Sequence, residues 1–175
     1  LGDVYKRQLR RWKGFEEKAP LFGAAAEYAY RTYGLTPVFV AVEKHLDPGA
    51  GQLAARGLTI PHYFLDDAGG AGTIIGALSR MQAVVSMRLH ALIFAAGQGI
   101  PLAGVVYDPK VSAFLRYIGQ EQFVDLAELT GQNLCAMMDQ CVAQAAHPEA
   151  QAAAVRNLQA MEQKNVEVAR RLLKG

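Results

Sequence analysis

The chain has 175 residues, 51% of them hydrophobic and 19% charged, with a formal net charge of +2. That is enough apolar material for one domain with a core, and too little net charge for a disordered chain or for a nucleic-acid or membrane partner held by bulk electrostatics. Its two cysteines, Cys135 and Cys141, form neither a disulfide framework nor a zinc-ligand spacing. They fit a reducing compartment, and no apolar run approaches the ~20 residues of a membrane span, so an intracellular domain is expected.

Residues 1–8 (LGDVYKRQ) neither alternate like a strand nor carry a helical stripe. They resemble adapter-derived ends and are set aside as a non-native end. With no initiator Met, the chain is expected to begin inside a longer protein, leaving residues 9–175 as a single α/β domain. Pro20 opens a predicted helix over 20–33, with Leu21, Ala25, Tyr28 and Ala29 on one stripe and Gly34 as its stop. Residues 37–42 (PVFVAV) are a continuous β-branched and aromatic run, the pattern of a buried parallel strand. A helix over 48–56 ends at Gly57, and 62–65 is a brief strand. A glycine-opened helix over 69–80 leads into the strand 83–87, and the helix 89–98 stops at Gly99. Strand 102–106, helix 111–118 and strand 123–126 complete the alternation.

Residues 130–175 read as helical, with a stripe at Val155, Leu158, Met161, Asn165, Ala169 and Leu172. Strands alternating with helices through short connections predict an α/β fold, a doubly wound parallel sheet with C-terminal helices. There are no internal repeats.

In such a sheet, ligands bind beyond the carboxyl ends of the strands. The residues that follow the predicted strands are Glu43, Lys44, His45 and Asp47, then Asp66 and Asp67, then Arg88 and His90, then Tyr107, Asp108 and Lys110. The strongest local signal is Ser86-Met87-Arg88-Leu89-His90, which puts a guanidinium and an imidazole at the start of an otherwise apolar helix. A helix apolar on every face is expected to be buried, aiming its start into the crevice. A cation there opposes the helix dipole, and an anionic ligand would supply the reason for it. An ion pair with Asp66 or Asp108 competes with that reading for Arg88, and a hydrogen-bonded core histidine competes for His90.

Lys110 opens the next helix after Tyr107-Asp108-Pro109, again at the end that opposes the dipole. Gly69, Gly70, Gly72 and Gly76 do not form a dinucleotide fingerprint, and read better as a flexible helix entry. No P-loop, nucleophile elbow or metal-ligand cluster is present, so no metal is expected. Trp12 and the tyrosines are not interleaved with basic residues, so stacking on nucleic acid is unsupported.

Residues 86–111, SMRLHALIFAAGQGIPLAGVVYDPKV, closely resemble the signature of the polysaccharide pyruvyl transferases, especially those that modify secondary cell-wall polymers. The likeness runs over residues 9–125. Leu9-Arg10-x-Trp12 matches the end of the first strand of that family's C-terminal domain, and 38–47 matches the next strand and its acidic turn. The family often has Gln with Pro where this chain has Ala41-Val42-Glu43, a departure that bears on the role of this loop.

The resemblance implies the C-terminal half of a two-domain fold like that of the B-type glycosyltransferases (GT-B), with an N-terminal acceptor domain absent from this chain. It implies transfer of the pyruvyl group of phosphoenolpyruvate onto two hydroxyls of a sugar, forming a ketal and releasing phosphate, with no cofactor beyond that co-substrate. On the resemblance, His90 is the general acid, Arg10 and Arg88 bind the anion, and Lys110 is the site lysine. Asp47 is the site acid in competition with Glu43, and Ser86, Tyr107 and Asp108 are further candidates. The implied acceptor is a lipid-linked or polymeric sugar, and the implied location is cytoplasmic, at the inner face of the membrane.

Two other readings compete: the donor domain of a sugar-nucleotide glycosyltransferase or epimerase, with Asp66 or Asp67 holding a ribose, and a non-catalytic anion-binding module.

Overall fold

Parallel strand pairing organises the chain in a computed structural model that describes residues 2–43, 47–66 and 69–173, the side chains of 2–14 and 47–48 excepted. Lys44, His45 and Asp67 lie outside the described residues. The elements run α1 (Gly2–Tyr33), β1 (Val38–Val40), α2 (Asp47–Ala55), β2 (Tyr63–Leu65), α3 (Ala71–Leu78), β3 (Val84–Ser86) and α4 (Leu89–Gly97). Then come β4 (Leu102–Val106), α5 (Pro109–Tyr117), β5 (Phe123–Asp125), a 3-10 turn (Leu126–Glu128), α6 (Gly131–Ala145) and α7 (Pro148–Leu172). From β1 to β5 every predicted element is present. The predicted stops at Gly34 and Gly57 adopt φ of 70° and 84°, the left-handed geometry that ends helices.

The first element departs from expectation. No strand forms at 9–12; α1 runs through that stretch and through the set-aside residues 2–8, with Pro20 inside the helix and not at its start. Between Val4 and Thr32 there is no β-branched residue, and the charged residues Arg10, Arg11, Lys13, Glu16, Glu17 and Lys18 are, apart from their charge, good helix formers. Pro20 removes one hydrogen bond from the helix without ending it. The long predicted helical tail is divided at His147, where α6 stops and Pro148 takes an N-terminal position of α7.

The strands form two parallel sheets, β1-β2 and β3-β4-β5. Val38, Phe39 and Val40 pair with Tyr63, Phe64 and Leu65. Val84, Val85 and Ser86 pair with Leu102, Ala103 and Gly104, and β4 pairs in turn with β5. Among the described residues no ladder joins β1 to β3, so the continuous sheet expected from the alternation is two small parallel sheets flanked by helices. The class is α/β.

β4 is buried at every position. Its Ala103 and Val105 face a cluster with Ala25 of α1 and Leu134, Met137 and Cys141 of α6. Leu102 and Val106 face the opposite cluster, with Leu78 of α3, Leu92 and Ala95 of α4, and Val111 and Leu115 of α5. By contrast β1, expected to be buried, is only half-buried along its length.

Polar contacts tie α1 to the C-terminal elements. Lys18 Nζ donates to the Leu129 carbonyl at 2.8 Å. The hydroxyls of Tyr28 and Tyr33 both donate to Asp139 Oδ1 on α6, at 2.8 and 2.7 Å. α6 itself starts with a reciprocal cap: Thr130 Oγ1 accepts from the Asn133 amide at 3.2 Å, and Asn133 Oδ1 accepts from the Thr130 amide at 2.9 Å.

A Cβ on Gly23 would run into the Ala54 backbone carbonyl of α2, and one on Gly104 into Leu115, which is fully buried; one on Gly76 would meet nothing within 4 Å. Gly23→Ala and Gly104→Ala should each lower stability in urea by about 1–3 kcal/mol through overpacking. Gly76→Ala, in the open middle of α3, should raise it by about 0.5–1 kcal/mol.

The hydrogen bond to Asp139 is the main cause that pushes both Tyr28 and Tyr33 above the ordinary phenol range. A raised phenol pKa in the folded chain means that the contact stabilises it below about pH 10 and loses that effect as pH climbs further. Asp139→Asn should therefore bring the two phenols to an earlier ultraviolet titration and flatten the fall of stability above that pH.

Candidate functional site

Because every pairing is parallel, the strands of each sheet deliver the chain to one edge, and residues from both sheets meet there. Val42, Asp66, Ser86, Arg88 and Tyr107 line a single cavity of about 490 Å³ that extends between β1 and β3. Its far end is lined by Leu35, Thr36 and Pro37 before β1 and by Arg80, Met81 and Gln82 before β3.

Ser86 shapes the turn out of β3. Its Oγ accepts from the Arg88 amide at 2.9 Å, holding Arg88 extended at φ −85° and ψ 120° as the N-cap of α4. The Arg88 side chain makes no capping bond, and the Arg88 carbonyl accepts from Leu92 to close the first turn. Arg88, half-buried, thus belongs to the cavity wall, beside a helix start whose leading amides have no intrahelical partner. Such a corner suits an oxyanion.

His90 is exposed, which corrects the expectation of a helix buried on every face. α4 buries Ala91, Leu92, Ala95 and Ala96, while His90 and Ile93, one turn apart, lie on the open side. The imidazole is not a core group either. It sits with its centroid 6.3 Å from that of Phe94, exposed and outside the cavity wall.

Asp108 caps α5: its Oδ1 accepts from the Lys110 amide at 3.1 Å, with Pro109 in the first turn. This capping explains the Asp-Pro-Lys spacing without a ligand. Lys110 stands exposed at the second position of α5, and Glu43 is exposed after β1; neither lines the cavity.

The structure therefore gathers Ser86, Arg88, Tyr107 and Asp66 and leaves His90, Lys110, Asp108 and Glu43 outside that wall. The side chains of Arg10 and Asp47 lie outside the described residues; their backbones fall in α1 and at the start of α2. Among the described residues no group of three or more His, Cys, Asp or Glu is placed to hold a metal. No described helix is long and apolar enough to cross a membrane.

Two features escape a reading of the sequence. One is the cavity. Continuous apolar runs such as 37–42 report cover on both faces of a strand and say nothing of which edges meet, so no local pattern marks it. The other is the Tyr28-Tyr33-Asp139 contact, whose partners are 111 and 106 residues apart and leave no local pattern.

A family model described as polysaccharide pyruvyl transferase matches residues 21–109, just over half of the 175-residue chain. The match takes in β1 to β4 with Ser86, Arg88, His90, Tyr107 and Asp108; Arg10 lies before it and Lys110 immediately after it. The chain belongs to the polysaccharide pyruvyl transferase family, a family of transferases. No curated protein and no solved structure matches it.

Proposed function

We propose that this chain is the donor-binding part of a pyruvyl transferase that moves the pyruvyl group of phosphoenolpyruvate onto a sugar of a cell-surface or secondary cell-wall polysaccharide. The observation that carries the reading is the position of Arg88, inside the family match, in the wall of the cavity at the sheet edge and beside the open start of α4. Phosphoenolpyruvate bears a phosphate and a carboxylate, so it requires fixed cations; Arg88 supplies a bidentate fork, with Lys110 and Arg10 as further positive groups.

The chemistry then needs one acid. His90 protonates the methylene carbon, developing an oxocarbenium at the adjacent carbon, which a sugar hydroxyl attacks. Phosphate leaves with its bridging oxygen, and a second hydroxyl of the same sugar closes the ketal. One hydroxyl proton returns to His90 and the other leaves with phosphate. The exposure of His90, two residues after Arg88, suits an acid that must reach a donor carbon covered by an acceptor. Asp47 or Glu43 would relay the hydroxyl proton that leaves with phosphate, Ser86 holds the Arg88 turn, and Tyr107 borders the donor. The same reading takes the fold as one half of a doubly wound GT-B architecture, and places the enzyme in the cytoplasm against the membrane face that carries a lipid-linked acceptor.

A second reading has one observation of its own. Asp66 lines the same cavity, where a carboxylate could hold the ribose of a sugar nucleotide. The two are separated by calorimetric titration with phosphoenolpyruvate and with UDP. Phosphoenolpyruvate should bind saturably, and Arg88→Ala should weaken it by about 2 kcal/mol, roughly thirtyfold, the scale of a lost charge-assisted contact. Binding of UDP alone would select the sugar-nucleotide reading, and phosphoenolpyruvate affinity unchanged in Arg88→Ala would remove Arg88 from the donor site. His90→Ala should abolish ketal formation while sparing donor affinity; a variant that still forms the ketal would need another acid.

A further inference from the structure

The contact between α1 and α6 at Asp139 has more in it than joining two helices requires. Tyr28 and Tyr33 both donate to Asp139 Oδ1, at 2.8 and 2.7 Å, where one such bond would tie α1 to α6. Tyr33 is 38% exposed, so its bond buries little; what it fixes is the direction of the ring. The two rings stand at 87° to each other with their centroids 6.2 Å apart. Two perpendicular walls at that spacing form a corner in which a cation lies about 4.4 Å from each centroid, inside the ~6 Å reach of a cation–π contact.

The corner also carries a negative charge. Among the described residues no cationic side chain pairs with Asp139, and Arg31, which lies between the two tyrosines on α1, is held by Glu27 at 2.6 Å. Asp139 is half-buried, so its charge is screened less than that of a fully exposed carboxylate. Its Oδ1 is taken by the two phenols, and among the described residues no donor engages Oδ2. A primary ammonium brings three N–H donors to this single remaining oxygen and leaves most of them without a protein acceptor. A methylated ammonium brings none, and lays its positively polarised methyl groups on the ring faces. Tyr33 lies two residues before Leu35, at the end of the cavity away from Arg88, so the corner is separate from the donor site.

We propose that Tyr28, Tyr33 and Asp139 form a second binding site, one that takes a methylated ammonium group of the choline class, with the two rings as walls and the carboxylate as the counter-charge. The hydrogen bonds to Oδ1 set the walls before the ligand arrives, so binding orders little that is not already ordered. The same chemistry is offered by a free ammonium compound and by a lipid headgroup.

The test uses the full 175-residue chain, with choline as the probe and its neutral carbon isostere neohexanol as the control. At ionic strength matched with sodium chloride, choline should shift the ring resonances of Tyr28 and Tyr33 saturably, and its own N-methyl protons should move upfield over the ring faces. Neohexanol, of the same shape without the charge, should bind at least about tenfold more weakly. Asp139→Asn keeps an oxygen for both phenols and removes the charge, and should weaken choline by about fivefold or more; Tyr33→Leu removes one wall and should weaken it by about tenfold. Equal affinity for choline and neohexanol would overturn the proposal. So would choline affinity unchanged in Asp139→Asn, or no shift beyond that given by sodium chloride alone. Co-sedimentation with phosphatidylcholine vesicles and not with phosphatidylglycerol vesicles would support it with a lipid headgroup as the source. Choline binding with neither vesicle retaining the chain would support it with a free ammonium compound.

Discussion

Gly104 lets Leu115 of α5 lie directly against the backbone of β4, and most of the packing is arranged around that contact. β4 is paired on both edges and covered on both faces, by α1 and α6 on one side and by α3, α4 and α5 on the other. A strand in that position can hold no charge, and LAGVV holds none. Its neighbours inherit their direction from it. Since β3 and β5 run parallel to β4, the turns that carry Ser86, Arg88 and Tyr107 emerge together at one edge, and every polar group of interest sits there because the interior has no place for it.

The two helix starts at this edge use their residues differently. At α5 an acidic side chain caps the amides, and the spacing from Asp108 to Lys110 needs no further explanation. At α4 the corresponding position is a guanidinium, which cannot accept a hydrogen bond and opposes the dipole. A helix start whose own cap has the wrong sign is less stable alone than it would be beside an anion. This contrast between adjacent crossovers makes α4 the more informative of the two and gives Arg88 more weight than Lys110.

Much of this is legible in the sequence itself. Apolar runs of strand length and glycines behind the helices define the elements from Val38 to Asp125, because period and turn chemistry are local properties. The residues Ser86, Arg88 and Tyr107 could be placed at one edge because parallel topology leaves no other arrangement. The failures share a cause. α1 overran Pro20 because a long helix packed against α2 and α6 tolerates one missing bond, a tertiary effect. The division into two sheets depends on which strand edges meet, and the continuous apolarity of 37–42 describes faces, not edges. The exposure of His90 followed from which side of α4 rests on β3 and β4, and a helix with apolar residues all round does not announce its open side.

Cys141 carries a consequence of a different kind. Its thiol is fully buried in α6 against the sheet, near the Gln122 side-chain oxygen at 3.5 Å, and burial pushes its pKa up to about 12. Cys135, on the same helix, is only partly buried. An alkylating reagent needs the thiolate and a path to it, so Cys135 must react first and Cys141 only in molecules whose α6 has lifted from β4. The chain carries its own clock for that detachment: the lag between the two labels, followed by mass spectrometry, measures how often the helix that covers Ala103 and Val105 lets go.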